Sequence, residues 1–135
     1  MRYSKLLDWR PTAMHDTWWQ ELYDDLLADV LLVRDDPDEV ERTLCFLREK
    51  LKLAPGARIY DQCCGIGSLS IPLSNLGYDV VGVDQCMRYI ERAQQTMPNG
   101  NSLHFIAADA SEFVCEPACD AVLNWWTSFG YAPTD

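Results

Sequence analysis

Residues 58–84 constrain this chain more than any other stretch. They read RIYDQCCGIG, then a helix-like run, then YDVVGVD. An apolar strand enters a Gly-containing turn, the turn opens a helix, and a second strand ends in an acid. Glycine after a strand lets a ligand approach the backbone closely. The helix that follows offers unpaired N–H groups and the positive end of its dipole. Asp84 follows Gly67 by one helix and one strand. Its carboxylate therefore stands where it can accept hydrogen bonds from a ribose. This is the order of a nucleotide-cofactor half-site.

Strands and helices continue to alternate around this unit. Asp36-Pro37-Asp38-Glu39 starts a helix: Asp36 caps it, Pro37 suits the first helical position, and Glu39 is the capping-box acid. Val40, Leu44, Leu47 and Leu51 form its apolar stripe, and Pro55-Gly56 ends it. Strands are expected at 57–60, 78–83, 103–107 and 121–124. Helices are expected at 68–76 and 86–97, with a helical turn at 110–114. Upstream, Trp19, Leu22, Tyr23, Leu26, Leu27, Val30 and Leu31 recur at helical spacing over 16–33, with Asp24, Asp25 and Asp29 on a solvated side. Alternation of this kind predicts a parallel α/β sheet.

The chain has 135 residues and a formal net charge of −10. Phosphate backbones are bound by clustered Lys and Arg, so this charge leads to the expectation of no nucleic-acid partner. No basic segment precedes an apolar run, and no apolar run approaches the roughly 18 residues of a membrane span. The expectation is a cytoplasmic protein with no membrane contact. Of the six cysteines, only Cys115 and Cys119 form a local pair, and no ligand spacing for zinc is present. The cysteines are expected to be reduced, with no metal site.

A dinucleotide fingerprint starting at Gly65 would want a third glycine at position 70, which is Ser70. Asp61, directly before the turn, would repel a pyrophosphate and suits a cofactor with a positively charged amino group. The pattern Asp61-x-x-x-Gly65-x-Gly67, followed by GYDVVGVD, FIAADASEF and CDAVLNWWTSFGY, closely resembles class I S-adenosylmethionine-dependent methyltransferases. The resemblance covers residues 37–135. It extends weakly to WWQELYDDL, which resembles the aromatic-rich opening segment of small-molecule methyltransferases.

The resemblance implies an α/β, Rossmann-like fold, incomplete here, with the first four of the family's seven strands behind N-terminal helices. Residues 1–36 would then be a helical lid segment and 37–135 a partial Rossmann-like cofactor-binding domain. S-adenosylmethionine is the implied cofactor and S-adenosylhomocysteine its product, with methyl transfer to a small-molecule acceptor. By the same resemblance Asp61, Gly65 and Gly67 line the methionine end. Asp84 holds the ribose hydroxyls, with Gln85 beside the adenosine. Asp109 bonds the adenine amino group, and Ala108 and Ala110 pack by the ring. Asn124 and Trp125 face the sulfonium and the substrate, and Tyr23 closes over the methionine part. His15, Asn124 and Trp125 are the candidates for a catalytic role, and none is a decisive base.

One departure is Cys63, which stands where the family usually has glycine, so that a Cβ narrows the turn. Trp125 and Trp126 divide between two roles, a π face near a sulfonium and a place in the core. The fourth strand would be an open edge carrying Ala121, Val122 and Leu123. Completion by a second polypeptide, pairing as a homodimer, and truncation are the three expectations that follow. The alternative function is a non-catalytic methyltransferase-like subunit that activates a partner chain.

Overall fold

The computed structural model describes residues 22–126. Its centre is a four-stranded sheet in the order β3-β2-β1-β4. The strands are β1 (Arg58–Gln62), β2 (Asp79–Asp84), β3 (Leu103–Ala107) and β4 (Ala121–Asn124), and every pairing is parallel. Parallel neighbours must be joined by crossovers. Helix α3 (Ser70–Asn75) carries the chain from β1 to β2, and α4 (Met87–Thr96) carries it from β2 to β3. The chain then returns past β1 to lay down β4 on the other side. That reversal opens a crevice between the carboxyl ends of β1 and β4, where open α/β sheets bind ligands. All four expected strands are present.

Helix α2 (Pro37–Leu51) begins as its sequence dictates. The Asp36 carboxylate accepts from the Asp38 N–H at 2.9 Å, and Pro37 occupies the first turn. Leu44 and Leu47 are buried against the sheet. They join Ile59, Leu73, Val80, Ile90, Ala93, Leu103, Phe105 and Leu123 in the main core. The opposite face of the sheet carries Tyr60, Val81 and Val83. It is covered by Ala108, Phe113, Cys115 and Cys119 of the β3–β4 connection. Side chains alternate across a strand, so β2 sends Val80 to one core and Val81 and Val83 to the other. This is why the strand reads as a continuous apolar run.

The first expected helix differs. Among the described residues it is a short α1 (Asp25–Leu27) that runs into a π-helical turn, Ala28–Leu32. The Asp24 carboxylate accepts from the Leu27 N–H at 2.8 Å, so a new helix starts there rather than continuing from upstream. A π turn adds a residue per turn and rotates the apolar stripe out of phase. Val30 and Leu31 within it are exposed and Ala28 is buried; Leu22 and Leu26, ahead of it, are exposed as well. Asp24, Asp25 and Asp29 are exposed, as a solvated face should be, and two of them also form surface ion pairs. Asp29 pairs with Arg92 at 2.7 Å and Asp25 with Arg88 at 3.7 Å, both on α4. His15, Trp18 and Trp19 lie outside the described residues.

Phe105 sets the spacing between β3 and the turn after β1. A Cβ built on Gly82 would stand 2.8 Å from two carbons of its ring and 3.0 Å from the Cys64 Sγ. Packed aromatic rings cannot yield that distance without shifting the strands. Gly82→Ala is therefore expected to lose about 1–3 kcal/mol in a urea titration. Unchanged stability would show that β2 and β3 separate freely.

Candidate functional site

The turn after β1 is built from backbone conformations that glycine favours. Gly65 and Gly67 have φ of 56° and 80°. Cys63 has φ of 58°, so the Cβ at this position strains the backbone as well as occupying space. The Cys64 N–H donates to the Val83 carbonyl at 3.0 Å and holds the turn against β2. Over it lies the π turn: a Cβ on Gly65 would meet Leu32 Cδ1 at 3.2 Å, and the Ser68 hydroxyl donates to the Leu32 carbonyl.

Asp84 closes β2 and bridges two turns. One carboxylate oxygen accepts from the Gly65 N–H and the other from the Cys86 N–H, each at 2.9 Å. Burial raises its pKa, and the two N–H bonds draw it back. Asp61, near the end of β1, is only 2% exposed. The Ser70 hydroxyl donates to it at 2.5 Å. Burial pushes its carboxyl up to about 6, the Ser70 bond opposes this, and the Asp84 charge adds to it. No Lys, Arg or His among the described residues pairs with either acid. The site therefore holds a buried carboxylate, Asp61, and a half-buried one, Asp84, whose charges repel, under a turn whose Gly65 N–H is already engaged. That arrangement suits a cationic, hydrogen-bond-donating ligand and disfavours a pyrophosphate.

The remaining expected residues gather at the same carboxyl edge, with exceptions. Gln85 follows Asp84 and is exposed. Ala108 is half-buried and donates its N–H to the Asp84 carbonyl at 3.1 Å. The Asp109 carboxylate accepts from the Ser111 N–H and hydroxyl at 2.9 and 2.7 Å, and these bonds lower its pKa. Ala110 follows in the same turn. Asn124 ends β4, exposed, in register with Gln62. Tyr23 stands edge-on to Tyr89, with centroids 6.1 Å apart, and its carbonyl accepts from the Cys86 thiol at 3.7 Å. That places Tyr23 beside the turn after β2.

Trp125 turns to the helical face, packing on the main core and on Phe46 at 6.2 Å between centroids. Trp126 is exposed, and the Arg34 guanidinium covers its ring at 3.6 Å. Among the described residues, no cluster of His, Cys, Asp or Glu could hold a metal ion. The cysteines form no disulfide.

Sequence reasoning gave no role to Ser70, Gln62 or Leu32. Ser70 reaches Asp61 only because a helix folds back on a strand, and no spacing rule marks such a pair. Leu32 reaches the turn by tertiary docking. Gln62 did carry a signal: it is an uncharged polar residue at the mouth of an otherwise buried strand.

The chain matches the family described as a methyltransferase domain over residues 59–135, more than half its length. The chain belongs to this family. It is 39% identical over 72 residues to the 23S rRNA (uracil(1939)-C(5))-methyltransferase RlmD of Shewanella sp. (strain ANA-3), covering 51% of this chain and 16% of that protein. It is similar to the magnesium protoporphyrin IX methyltransferase of Synechocystis PCC 6803 solved with bound SAM. There the identity is 31% and the TM-score 0.50, over 57% of this chain and 38% of the other. A SAM-dependent methyltransferase of Thiobacillus denitrificans shares the fold, with 21% identity and a TM-score of 0.57 over 72% of this chain and 40% of that one. The chain thus spans less than half the length of these relatives.

The similarity to RlmD overturns the expectation of no nucleic acid, because a relative of this methyltransferase domain acts on RNA. Net charge was the wrong measure. It sums the whole chain, whereas nucleic-acid affinity comes from local clusters of cations. No helix among the described residues is long and apolar enough to cross a membrane.

Two expectations test the site's physics. Asp61 has a folded pKa above its unfolded value. Its contribution to stability is therefore fully present below about pH 4 and is lost as the pH rises through about 6. Urea midpoints should fall across that window, and Asp61→Asn should reduce the fall; an unaltered profile in the variant would show the carboxyl to be unperturbed. Cys63→Gly should raise stability by about 0.5–1 kcal/mol by relieving the left-handed backbone, and a loss would mean that contacts of the thiol outweigh the strain.

Proposed function

We propose that this chain binds S-adenosylmethionine and serves methyl transfer from it. The observation that carries this reading is the pair of carboxylates, Asp61 buried and Asp84 half-buried, with no cation paired to either among the described residues, at the switch point of a parallel sheet. A cationic donor provides the missing counter-charge. Gly65 and Gly67 leave room for close approach to the backbone. Asp84 accepts from ribose hydroxyls, Asp61 faces the methionine end, and Asp109 and Asn124 supply polar groups along the same edge.

When bound, the sulfonium supplies a methyl group whose leaving group is already activated. The work left to the chain is to orient reactants and exclude water. A general base is needed only where the acceptor must lose a proton early.

The acceptors named for the relatives are as different as a uracil of 23S rRNA and magnesium protoporphyrin IX. What those proteins share with this chain over the matched stretch is therefore the donor's side of the reaction. Transfer of tritium from labelled S-adenosylmethionine to total RNA or to a small-molecule extract separates the acceptor classes.

Calorimetry with S-adenosylmethionine and S-adenosylhomocysteine tests the donor site. Both should bind, and Asp84→Ala should weaken binding by about tenfold or more, the scale of a charged hydrogen bond. In two buffers of different ionisation enthalpy, binding near pH 6 should release protons, because a cation favours ionised Asp61, and release should fade by pH 8. Absence of binding to either compound would sink the reading.

A further inference from the structure

We infer that Gln62 is a positioning residue that sets the orientation of the Asn124 side-chain amide. The inference deepens, and rests on, the reading of the carboxyl edge as the methyl-donor site. Gln62 ends β1, the strand between β2 and β4, and is half-buried. Its Nε2 donates to the main-chain carbonyl of Ala110 at 3.2 Å. Its Oε1 accepts from Asn124 Nδ2 at 3.1 Å.

Donor and acceptor capacity decide the direction of this relay. A main-chain carbonyl only accepts, so the atom that Gln62 turns toward Ala110 is its NH2 group. Its oxygen is then the atom left for β4. An amide oxygen also only accepts, so Asn124 must present Nδ2 to it. One backbone carbonyl thereby fixes two side-chain amides that are otherwise free to rotate by half a turn. Asn124 is exposed, and Gln62 is its only side-chain hydrogen-bond partner among the described residues. The atom left to face the crevice is Asn124 Oδ1, an acceptor.

The same side chain ties two segments together. Ala110 lies in the turn that carries Asp109, and Asn124 ends the strand on the far side of β1. Gln62 spans the switch point between them. An apolar residue at the end of β1 would leave the β3 turn and the β4 terminus unconnected at the point where the ligand sits.

The test combines a ligand-free measurement with a binding cycle on the full chain. In the 15N-labelled protein, Gln62→Met should shift the Asn124 side-chain amide resonances and speed their exchange with water. Gln62→Glu keeps an acceptor for Nδ2 but loses the donor to the Ala110 carbonyl, so it should shift them as well. Gln62→Met should also weaken S-adenosylhomocysteine binding about fivefold, roughly the worth of one hydrogen bond. In an Asn124→Ala background the same change should cost almost nothing. Additive losses, or binding unchanged by Gln62→Met, would overturn the inference. A purely structural Gln62 would lower the urea midpoint and leave affinity alone. If the parent chain binds no S-adenosylhomocysteine, the donor-site reading has failed; unshifted Asn124 resonances in Gln62→Met would then overturn the relay on their own.

Discussion

The structure depends on β1 standing between two parallel neighbours. Parallel strands start at one edge of a sheet and finish at the other. Every turn that follows a strand therefore falls on one side. With β2 and β4 flanking β1, three of these turns meet around the carboxyl end of one strand. Asp61, Asp84, Asp109 and Asn124 are spread over more than sixty positions of sequence, yet they come to one edge for this reason alone. The packing that keeps the edge narrow is apolar. Phe105 lies against Gly82 and under Gly67, where any side chain would collide with its ring.

Electrostatics then gives the edge its character. Asp61 and Asp84 are both desolvated, and the charge of Asp84 adds to the cost of ionising Asp61. Their compensation comes from neutral donors: the Ser70 hydroxyl for one, two backbone N–H groups for the other. Neutral donors hold the carboxylates in place without cancelling their charge. A site that served stability alone would pair them with cations. The field that results favours a positive ligand over a phosphate at this turn.

Much of the frame was legible from local signals. The cap at Asp36 and Pro37, the apolar run of β2 and the break at Gly77 place their elements to within a residue or two. The opening segment was legible only in part. Helical spacing over 16–33 suggested one amphipathic helix, but Asp24 restarts the helix, and the π turn shifts the stripe. The acids of that face stay exposed, and Arg88 and Arg92 of α4 pair with two of them at the surface. Trp125 and Trp126 were read together and part company, one to the core side at Phe46 and one under Arg34.

The sequence by itself determined the alternation of strands and helices, the glycines of the turn and the acid that ends β2. Each of these follows from local physics: periodicity, the freedom of a residue without Cβ, and the distance covered by one helix and one strand. Tertiary structure decided the rest. It set Ser70 against Asp61, Asp84 against Gly65, Leu32 over the turn, and Gln62 between Ala110 and Asn124. Those contacts join residues on separate elements. Their existence depends on how the elements pack, which residue order along one strand or helix does not encode.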